Sequence, residues 1–332
     1  MLPSFPKINR LTFESAIEAG RSILNIAPNA SMWGVRDMTG GTNPRVMKVY
    51  RDVSHIPTGS NYRDFYANEI EDGTLLSWVT AGGATANGYV TFLYDQNTTR
   101  DFHYYRDEEL AMTKAPKIVV NGALSRDTEN KVAINGNGAK LHLSPGDGTQ
   151  DEVGFFSSDG TWSVFFVTDF PDYSGATNAN VQIVHYETKT NGGANSPRKP
   201  VIACNKSFNQ LSVAQPTQTV GSNTTGNIFL PTYPGEQLFS SFGNPSLAEN
   251  NNEGFLDGVG RGATGHKTTN LATAVNTDTD APGTKNVLFM QNETGVTTFL
   301  SGLIYAPSYL FSAKTEIENE LVNLYDITFV DE

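Results

Sequence analysis

Carboxylates are the side chains whose types and spacing most directly suggest chemistry in this sequence. A retaining glycosidase requires two carboxyl groups about 5.5 Å apart, one acting as nucleophile and the other as general acid/base. Asp95 is the first candidate, because it follows an apolar run and is flanked by Tyr94 and Gln96, whose side chains could also hydrogen-bond sugar hydroxyls. The alternative is that Asp95 and Gln96 cap a turn and brace neighbouring loop amides. Glu253 and Asp257 are the candidates for a catalytic pair.

Aromatic side chains form the second set of candidates, since aromatic rings can stack on sugar rings while Asn, Asp and Gln satisfy the hydroxyls. The aromatic residues that we predict to lie in or beside loops are Tyr62, Phe65, Tyr66, Phe102, Tyr104, Tyr105 and Tyr173. The alternative for each ring is packing beneath a long loop. The predicted glycan-binding residues are Tyr94, Asp95, Gln96, Tyr104, Tyr105 and Asp257, and no residue is assigned as catalytic.

The sequence gives little indication of a metal or cofactor site. Its five histidines do not occur at metal-ligand spacing, and its single cysteine, Cys204, excludes an intrachain disulfide. The acidic segment 147–152 has the oxygen ligands that Ca²⁺ prefers but lacks EF-hand spacing, so a solvated turn is the alternative. The glycine-rich segment 258–262 lacks the Lys-Ser/Thr of a phosphate-binding loop. We therefore expect no cofactor, with Ca²⁺ as the one alternative.

Charge and hydropathy exclude several classes of partner. The net charge of −12 would repel a phosphate backbone, and no basic cluster offsets it. The first ten residues contain two prolines and no apolar core, unlike a signal peptide. No apolar stretch approaches the ~18 residues of a membrane helix. We expect a protein made in the cytoplasm, without a nucleic-acid partner and without membrane insertion.

The elements that must position these residues are mainly strands, and the sequence predicts an all-β fold. Gly, Asn and Thr are abundant and only 17% of the residues are charged, which suits strands joined by tight turns. Residues 162–170 form the strongest predicted strand because they are rich in β-branched and aromatic side chains. The other predicted strands are 46–50, 88–94, 116–120, 132–134, 181–187, 200–204, 228–230, 287–291 and 298–306, with polar loops at 188–196 and 244–254.

Two helices and one domain boundary complete the predicted organisation. Apolar residues at helical spacing predict a helix over 12–24, and the same pattern predicts a C-terminal helix over 312–324 that Ser312 caps. We expect residues 1–28 to form an N-terminal arm and helix, and residues 29–332 to form one sandwich domain.

Several segments of the first half carry a resemblance to a known group of proteins. They are residues 30–36 (ASMWGVR), 45–51 (RVMKVYR), 64–65, 69–75, 78–79, 88–96 (GYVTFLYDQ), 115–119 (APKIV) and 131–134. Together they resemble a module that recurs in bacteriophage structural and tail proteins, which is itself similar to the catalytic domain of family 54 α-L-arabinofuranosidases. Residues 162–170, 301–305 and 312–325 resemble the closing strand and C-terminal helix of concanavalin A-like, laminin G-like domains.

This resemblance implies a concanavalin A-like sandwich of two antiparallel sheets. It makes Asp257 the nearest equivalent of the arabinofuranosidase acid/base aspartate, while no residue matches the nucleophilic glutamate. The adjacent cysteine pair of that family's sugar site is also absent, because Cys204 is the only cysteine. We therefore expect that the chain is not an enzyme, with a glycoside hydrolase related to the arabinofuranosidases as one alternative.

The resemblance also implies a place and a role. It points to a phage virion protein, a head-surface or tail fibre or decoration component whose sandwich binds host surface polysaccharide. Residues 1–28 would anchor it to other virion proteins or to sister subunits in a homo-oligomer. A purely structural virion or assembly protein without a ligand is the other alternative.

Overall fold

The chain folds as an antiparallel β-sandwich, which confirms the predicted fold class. The computed structural model describes residues 22–52, 61–104, 115–136, 139–144, 161–169, 180–188, 201–205, 210–214, 228–231, 236–244, 246–247, 252–256, 266–269, 284–290 and 298–327. The strands in these residues are β1 (Ser31–Gly34), β2 (Arg45–Arg51), β3 (Tyr62–Tyr66), β4 (Gly88–Leu93), β5 (Asp101–Tyr104), β6 (Lys117–Val120), β7 (Ala123–Leu124), β8 (Ile134–Asn135), β9 (Ala139–Ser144), β10 (Trp162–Asp169), β11 (Asn180–Thr188), β12 (Val201–Asn205), β13 (Gln210–Ala214), β14 (Ile228–Pro231), β15 (Glu236–Gly243), β16 (Asn252–Leu256), β17 (His266–Thr269), β18 (Thr284–Met290) and β19 (Phe299–Ala306). The helices are α1 (Ile23–Ile26), α2 (Ala67–Glu71), α3 (Thr74–Thr80) and α4 (Lys314–Tyr325).

The strands form two sheets that share one edge region. The first sheet has the order β1-β19-β10-β15-β16-β17. The second has the order β3-β2-β4-β5-β9-β18-β11-β12-β13-β14. Strands β6 and β8 join them, because β6 pairs with β4 and β8 pairs with β19.

The centre of the first sheet is buried on both faces. Strands β10 and β15 are buried along their whole lengths, and the β-branched and aromatic side chains of β10 suit such a position. One face packs on the second sheet, where the rings of Trp33 and Phe102 lie 4.8 Å apart between centroids. Helix α4 covers the other face, and its Glu318 accepts a hydrogen bond of 2.5 Å from Ser240 Oγ of β15. The sandwich core therefore lies between the two sheets, with a second apolar layer under α4.

The C-terminal helix confirms the prediction of a helix but corrects its cap. Ser312 lies within the 3-10 helix Phe311–Ala313, and Ala313 occupies the N-cap position without a side-chain hydrogen bond. The chain turns into α4 through this tight turn, so no capping hydroxyl is used. At the other end of the chain, α1 begins after Ser22, whose extended backbone and side chain form its N-cap, so the predicted helix over 12–24 is wrong at its end. Residues 1–21 lie outside the described residues. Among the described residues, no helix combines the length and apolarity that crossing a membrane requires.

Two facing glycines make room for the last residue of α4. Gly34 of β1 and Gly302 of β19 are cross-strand partners. A Cβ atom on either glycine would lie 2.6 Å from the hydroxyl oxygen of Tyr325, closer than real Cβ atoms approach. Any side chain at position 34 or 302 would therefore occupy the space that the buried Tyr325 ring now fills. This close approach of Tyr325 to the two glycines fixes the position of α4 on the first sheet.

Replacing Gly302 with alanine is expected to lower the free energy of unfolding by about 1–3 kcal/mol, the usual cost of overpacking a core. Urea denaturation of Gly302→Ala beside the wild type measures this change. Adding Tyr325→Phe to the same chain removes the clashing hydroxyl and should restore part of the loss. A double variant no more stable than Gly302→Ala would show that the Tyr325 hydroxyl is not the source of the clash.

Candidate functional site

Tyr94 lies at the end of β4, beneath the guanidinium group of Arg45. The Arg45 Cζ atom is 3.8 Å from the centroid of the Tyr94 ring, and the Tyr94 hydroxyl donates a 2.8 Å hydrogen bond to Asp64 Oδ1. Burial, and then this hydrogen bond to Asp64, raise the pKa of Tyr94. The phenol is therefore a protonated donor at neutral pH, held in place by neighbours on β2 and β3.

Asp95 is a buried turn-capping residue. Its Oδ1 accepts hydrogen bonds from the backbone N–H groups of Met32 (2.9 Å), Asn97 (3.1 Å) and Thr98 (3.1 Å). Its Oδ2 accepts a further hydrogen bond from the Thr98 hydroxyl. These contacts are those of the alternative role, bracing of loop amides. A direct contact between Asp95 and a sugar stays a prediction.

Gln96 braces the loop between β1 and β2. Its side-chain oxygen accepts a hydrogen bond from Met38 N (2.9 Å), and its side-chain nitrogen donates to the carbonyl of Arg36 (2.8 Å). Its backbone N–H donates to Met32 O at 2.8 Å. Both ends of the amide are thus used to hold the segment 34–38, and sugar binding by Gln96 likewise stays a prediction.

The prediction that the aromatic residues lie in or beside loops is wrong for the described ones. Tyr62, Phe65 and Tyr66 belong to strand β3, while Phe102 and Tyr104 belong to β5. Their strands contain interspersed Asp, Arg and His, which hid the alternation in the sequence. The side chains of Phe65, Phe102 and Tyr104 are buried, whereas Tyr66 is 46% exposed. Tyr105 and Tyr173 lie outside the described residues.

The candidate catalytic carboxylates are only partly described. Glu253 lies on β16, so the predicted loop 244–254 is wrong at its end, and its Oε1 accepts a 3.3 Å hydrogen bond from the Tyr309 hydroxyl. Asp257, which was also a predicted glycan ligand, lies outside the described residues, as does the acidic segment 147–152. Within the described residues, no group of three or more His, Cys, Asp or Glu side chains is arranged to hold a metal ion.

A row of polar and aromatic side chains crosses the outer face of the second sheet. Lys48 of β2 pairs with Asp64 of β3 on one side and with Phe92 of β4 on the other, and Phe92 pairs with His103 of β5. Cross-strand partners lie on the same face of a sheet, so these four side chains are neighbours. With the two residues that pack beside them, they define the polar aromatic face: Arg45, Lys48, Asp64, Phe92, Tyr94 and His103.

A β-bulge brings this face together. The register between β2 and β4 shifts between Lys48 and Val49, so that Tyr50 pairs with Tyr89 while Lys48 pairs with Phe92. Tyr89 and Phe92 are three residues apart and would otherwise point to opposite faces of the sheet. Because of the extra residue, Tyr89 and Phe92 lie on the same face of the sheet, where the Tyr89 side chain is buried and the Phe92 side chain is half-buried.

The geometry of the face suits a ligand that is flat and rich in hydroxyl groups. The Phe92 ring is half-buried and lies 5.9 Å from both the Tyr94 and His103 rings, with interplanar angles of 20° and 29°. Lys48 Nζ lies 5.0 Å from the Phe92 centroid and 3.7 Å from Asp64 Oδ1. Donors and an acceptor thus surround an aromatic surface that solvent can reach.

Apart from Tyr94, the residues of this face were not singled out from the sequence, although one signal was present. Lys48 interrupts an otherwise apolar strand between Met47 and Val49, and a single cation in such a run marks an outward-facing position. Its side chain is 33% exposed. The partners of Lys48 could not be named, because the bulge and the strand order decide them.

A separate cluster of charges surrounds the buried Glu236 at the end of the first sheet. Lys131 Nζ is 3.0 Å from Glu236 Oε2, 3.0 Å from Glu129 Oε2 and 2.6 Å from the carbonyl oxygen of Asp326. The Ser301 hydroxyl donates a 2.5 Å hydrogen bond to Glu236 Oε1. The Glu236 side chain is fully buried, and burial raises its pKa against the opposing effects of Ser301 and Lys131. Lys131 therefore ties a loop, a strand and the end of α4 together.

The chain is similar to several proteins of known structure in its fold. No protein-family model matches the chain, and no curated protein matches its sequence. An arabinofuranosidase complexed with arabinofuranosyl-α-1,2-xylobiose is 10% identical, with a TM-score of 0.49, over 89% of this chain and 62% of the arabinofuranosidase. A Trypanosoma rangeli sialidase in complex with the inhibitor DANA is 10% identical, with a TM-score of 0.38, over 70% and 31% of the two chains.

A binding domain of botulinum neurotoxin DC in complex with rat synaptotagmin II is also similar. It is 11% identical, with a TM-score of 0.41, over 70% of this chain and 51% of that domain. This chain spans less than two thirds of the length of each of the three structures. At these identities and TM-scores the likeness concerns the fold alone.

The expectation that the chain is not an enzyme is contradicted by these comparisons. The structures of similar fold include an arabinofuranosidase and a sialidase.

Proposed function

We propose that this chain is a glycan-binding protein and that the polar aromatic face is its binding site. The observation that carries the proposal is the outward row of Lys48, Phe92 and His103, joined by Asp64, on a sheet whose inner face is buried. An apolar ring with hydrogen-bonding groups at its edges matches a sugar, which has an apolar C–H face and a rim of hydroxyls.

Charge pairing on the face supports the same proposal. Asp64 lies 3.3 Å from Arg45 Nη1 and 3.7 Å from Lys48 Nζ, and the three side chains are between 33% and 47% exposed. The cations and the carboxylate satisfy one another in the absence of ligand, at the small energetic cost typical of exposed pairs. Sugar hydroxyls both donate and accept, so they can bridge such a pair without leaving an unmatched charge.

Replacing Phe92 with leucine is expected to weaken glycan binding at least tenfold, because leucine retains apolar volume but has no flat ring. The measurement is a glycan array that includes bacterial capsular and O-antigen polysaccharides, followed by titration of the best ligand. Leu247→Ser, which alters an exposed apolar side chain beyond β15, is the matched control and should bind as the wild type does. Wild-type protein that binds no glycan on the array would refute the proposal.

The same glycans should be assayed for released reducing ends, because hydrolases share this fold. Released sugar would show that binding is followed by hydrolysis. Its absence would leave the binding proposal unaffected, since the array measures binding directly.

We further propose that the protein is a virion component of a bacteriophage, at the head surface or on a tail fibre, and that its ligand is a host surface polysaccharide. The support is the resemblance of residues 30–36, 45–51, 88–96 and 115–119 to phage structural modules.

Residues 1–28 are the proposed anchor that attaches the protein, as a homo-oligomer, to other virion proteins. Ile23 and Ala27 are buried in the sandwich core, so the test is a deletion of residues 1–21 alone. If phage particles incorporate the deletion variant as efficiently as the wild-type protein, residues 1–21 are not needed for attachment and the proposed anchor is refuted.

A further inference from the structure

A second exposed aromatic surface lies on the first sheet. Phe311 is 37% exposed, and its ring is nearly parallel to that of Tyr309, with centroids 5.8 Å apart and an interplanar angle of 16°. We call Tyr309 and Phe311 the aromatic platform. The two rings are stacked with an offset, so Tyr309 supports the exposed Phe311 ring from one side.

The aromatic platform and the polar aromatic face are on opposite sides of the sandwich. Phe242 of β15 contacts both platform rings, and it lies on the same face of β15 as Ser240, which bonds to α4. The platform is therefore on the outer side of the first sheet. Phe92 is on the outer side of the second sheet, since its strand neighbour Leu93 is buried in the core.

The aromatic platform is held rigidly. Phe242 packs edge-on against both rings, at centroid distances of 6.3 Å to Tyr309 and 5.5 Å to Phe311. Ser163 Oγ donates to the carbonyl of Ser308 at 2.6 Å and accepts from Leu310 N at 2.8 Å, which pins the turn on either side of Tyr309. A preorganised surface loses little conformational entropy when a ligand binds.

A hydrogen-bonding edge accompanies the platform. The Tyr309 hydroxyl donates to Glu253 Oε1 at 3.3 Å. Burial, reinforced by Glu253, raises the pKa of Tyr309 to about 12, so the phenol stays protonated at neutral pH. The platform thus combines a flat apolar surface with a phenol and a carboxylate at its margin.

We propose that the aromatic platform is a second glycan subsite, which takes one pyranose ring of an oligosaccharide with its C–H face on Phe311. This inference rests on the proposed function and extends it to a second location. Among the described residues, the exposed apolar surface at this place consists of Phe311 and the half-buried Tyr309, which is too small for the core of a stable protein interface. Two subsites on opposite sides would bind separate glycan chains and raise avidity at a glycan-coated surface.

The test is calorimetric titration of the full chain with hexasaccharides of β-1,4-glucose, α-1,4-glucose, β-1,4-xylose and β-1,4-galactose. The expected stoichiometry is two hexasaccharides per chain for a sugar that binds. Phe311→Leu keeps apolar volume beside Phe242 but removes the flat ring, so it should reduce the stoichiometry to one while leaving the melting temperature nearly unchanged. Phe92→Leu should also reduce it to one, and the double variant should not bind.

The outcomes separate the inference from the proposed function. A stoichiometry of one that Phe92→Leu abolishes and Phe311→Leu leaves intact would overturn the second subsite and retain the first. Two sites that persist in Phe311→Leu would also overturn it. Failure of the whole panel to bind would overturn the second subsite, whereas the proposed function is refuted only if the wild-type protein also binds no glycan on the array. Restoration of the second site by Phe311→Trp would support stacking as its basis.

Discussion

Replacing Lys131 with methionine is expected to destabilise the protein by about 3–5 kcal/mol, the largest effect we expect from a single substitution. The change leaves the buried Glu236 carboxylate without the cation that lies 3.0 Å away, and it removes the hydrogen bond to Asp326 O. Breaking one partner of a buried pair costs more than the pair contributes, because an uncompensated charge remains in a low-dielectric site. Chemical denaturation of Lys131→Met measures the loss.

The control is the double variant Lys131→Met, Glu236→Gln. It removes both charges and keeps the volume of the side chains, so it should recover most of the stability lost in Lys131→Met. Equal instability of the single and double variants would show that the Lys131 side chain acts by packing and not by neutralising Glu236.

The destabilisation should depend on pH with a definite sign. Burial raises the pKa of Glu236, so the folded state takes up a proton more readily than the unfolded state does. The contribution of such a group is present in full below its ordinary pKa of 4.5 and is lost as the pH rises through the folded-state pKa. Without Lys131 the pKa of Glu236 rises further, so Lys131→Met should lose less stability at pH 4.5 than at pH 8. A loss that is independent of pH would contradict this account.

Replacing Asp95 with alanine is expected to lower the free energy of unfolding by about 3 kcal/mol. Three backbone N–H groups and one hydroxyl would lose a charged acceptor, and each buried donor left without a partner costs about 1–3 kcal/mol before relaxation. Because one of these donors is Met32 N, the substitution also loosens β1 from the turn that follows β4. Asp95→Asn retains one acceptor oxygen and should lose less stability than Asp95→Ala, as measured by thermal and chemical unfolding.

Glycan titration of the same variant distinguishes the two roles of Asp95. If Asp95 only braces the turn, folded Asp95→Ala should retain most of the affinity, in contrast to Phe92→Leu. A fully folded variant with a wild-type melting temperature and no glycan affinity would instead show that Asp95 contacts the sugar.

The strands that the sequence predicted best are those with a uniform composition. Strand β10 was predicted within one residue, because its β-branched and aromatic side chains suit a strand that is buried on both faces. Strand β15 was not predicted, although it is equally buried, because it begins with Glu236 and Gln237 and contains two serines. Glu236 accepts a hydrogen bond from Ser301 and Ser240 donates one to Glu318, and the local sequence reveals neither tertiary partner.

The sequence also did not predict the short helices or most of the candidate site, because both depend on contacts that a local pattern does not show. Helices α2 and α3 were missed because each is only five to seven residues long, and Glu69 Oε2 stabilises the start of α2 by accepting from Tyr66 N. The polar aromatic face depends on a bulge in β4 and on the pairing of β4 with β5, neither of which periodicity can place. Tyr94 is the one residue of this face that the sequence singled out, as the neighbour of Asp95 at the end of the predicted strand 88–94.

The crystal structure of the chain with its best-binding oligosaccharide tests the central claim most directly. The claim predicts a sugar ring within about 4.5 Å of the Phe92 ring, with hydroxyls hydrogen-bonded to Arg45, Lys48 or Asp64. Sugar density confined to other parts of the molecule, with the polar aromatic face unoccupied at saturating ligand, would contradict it.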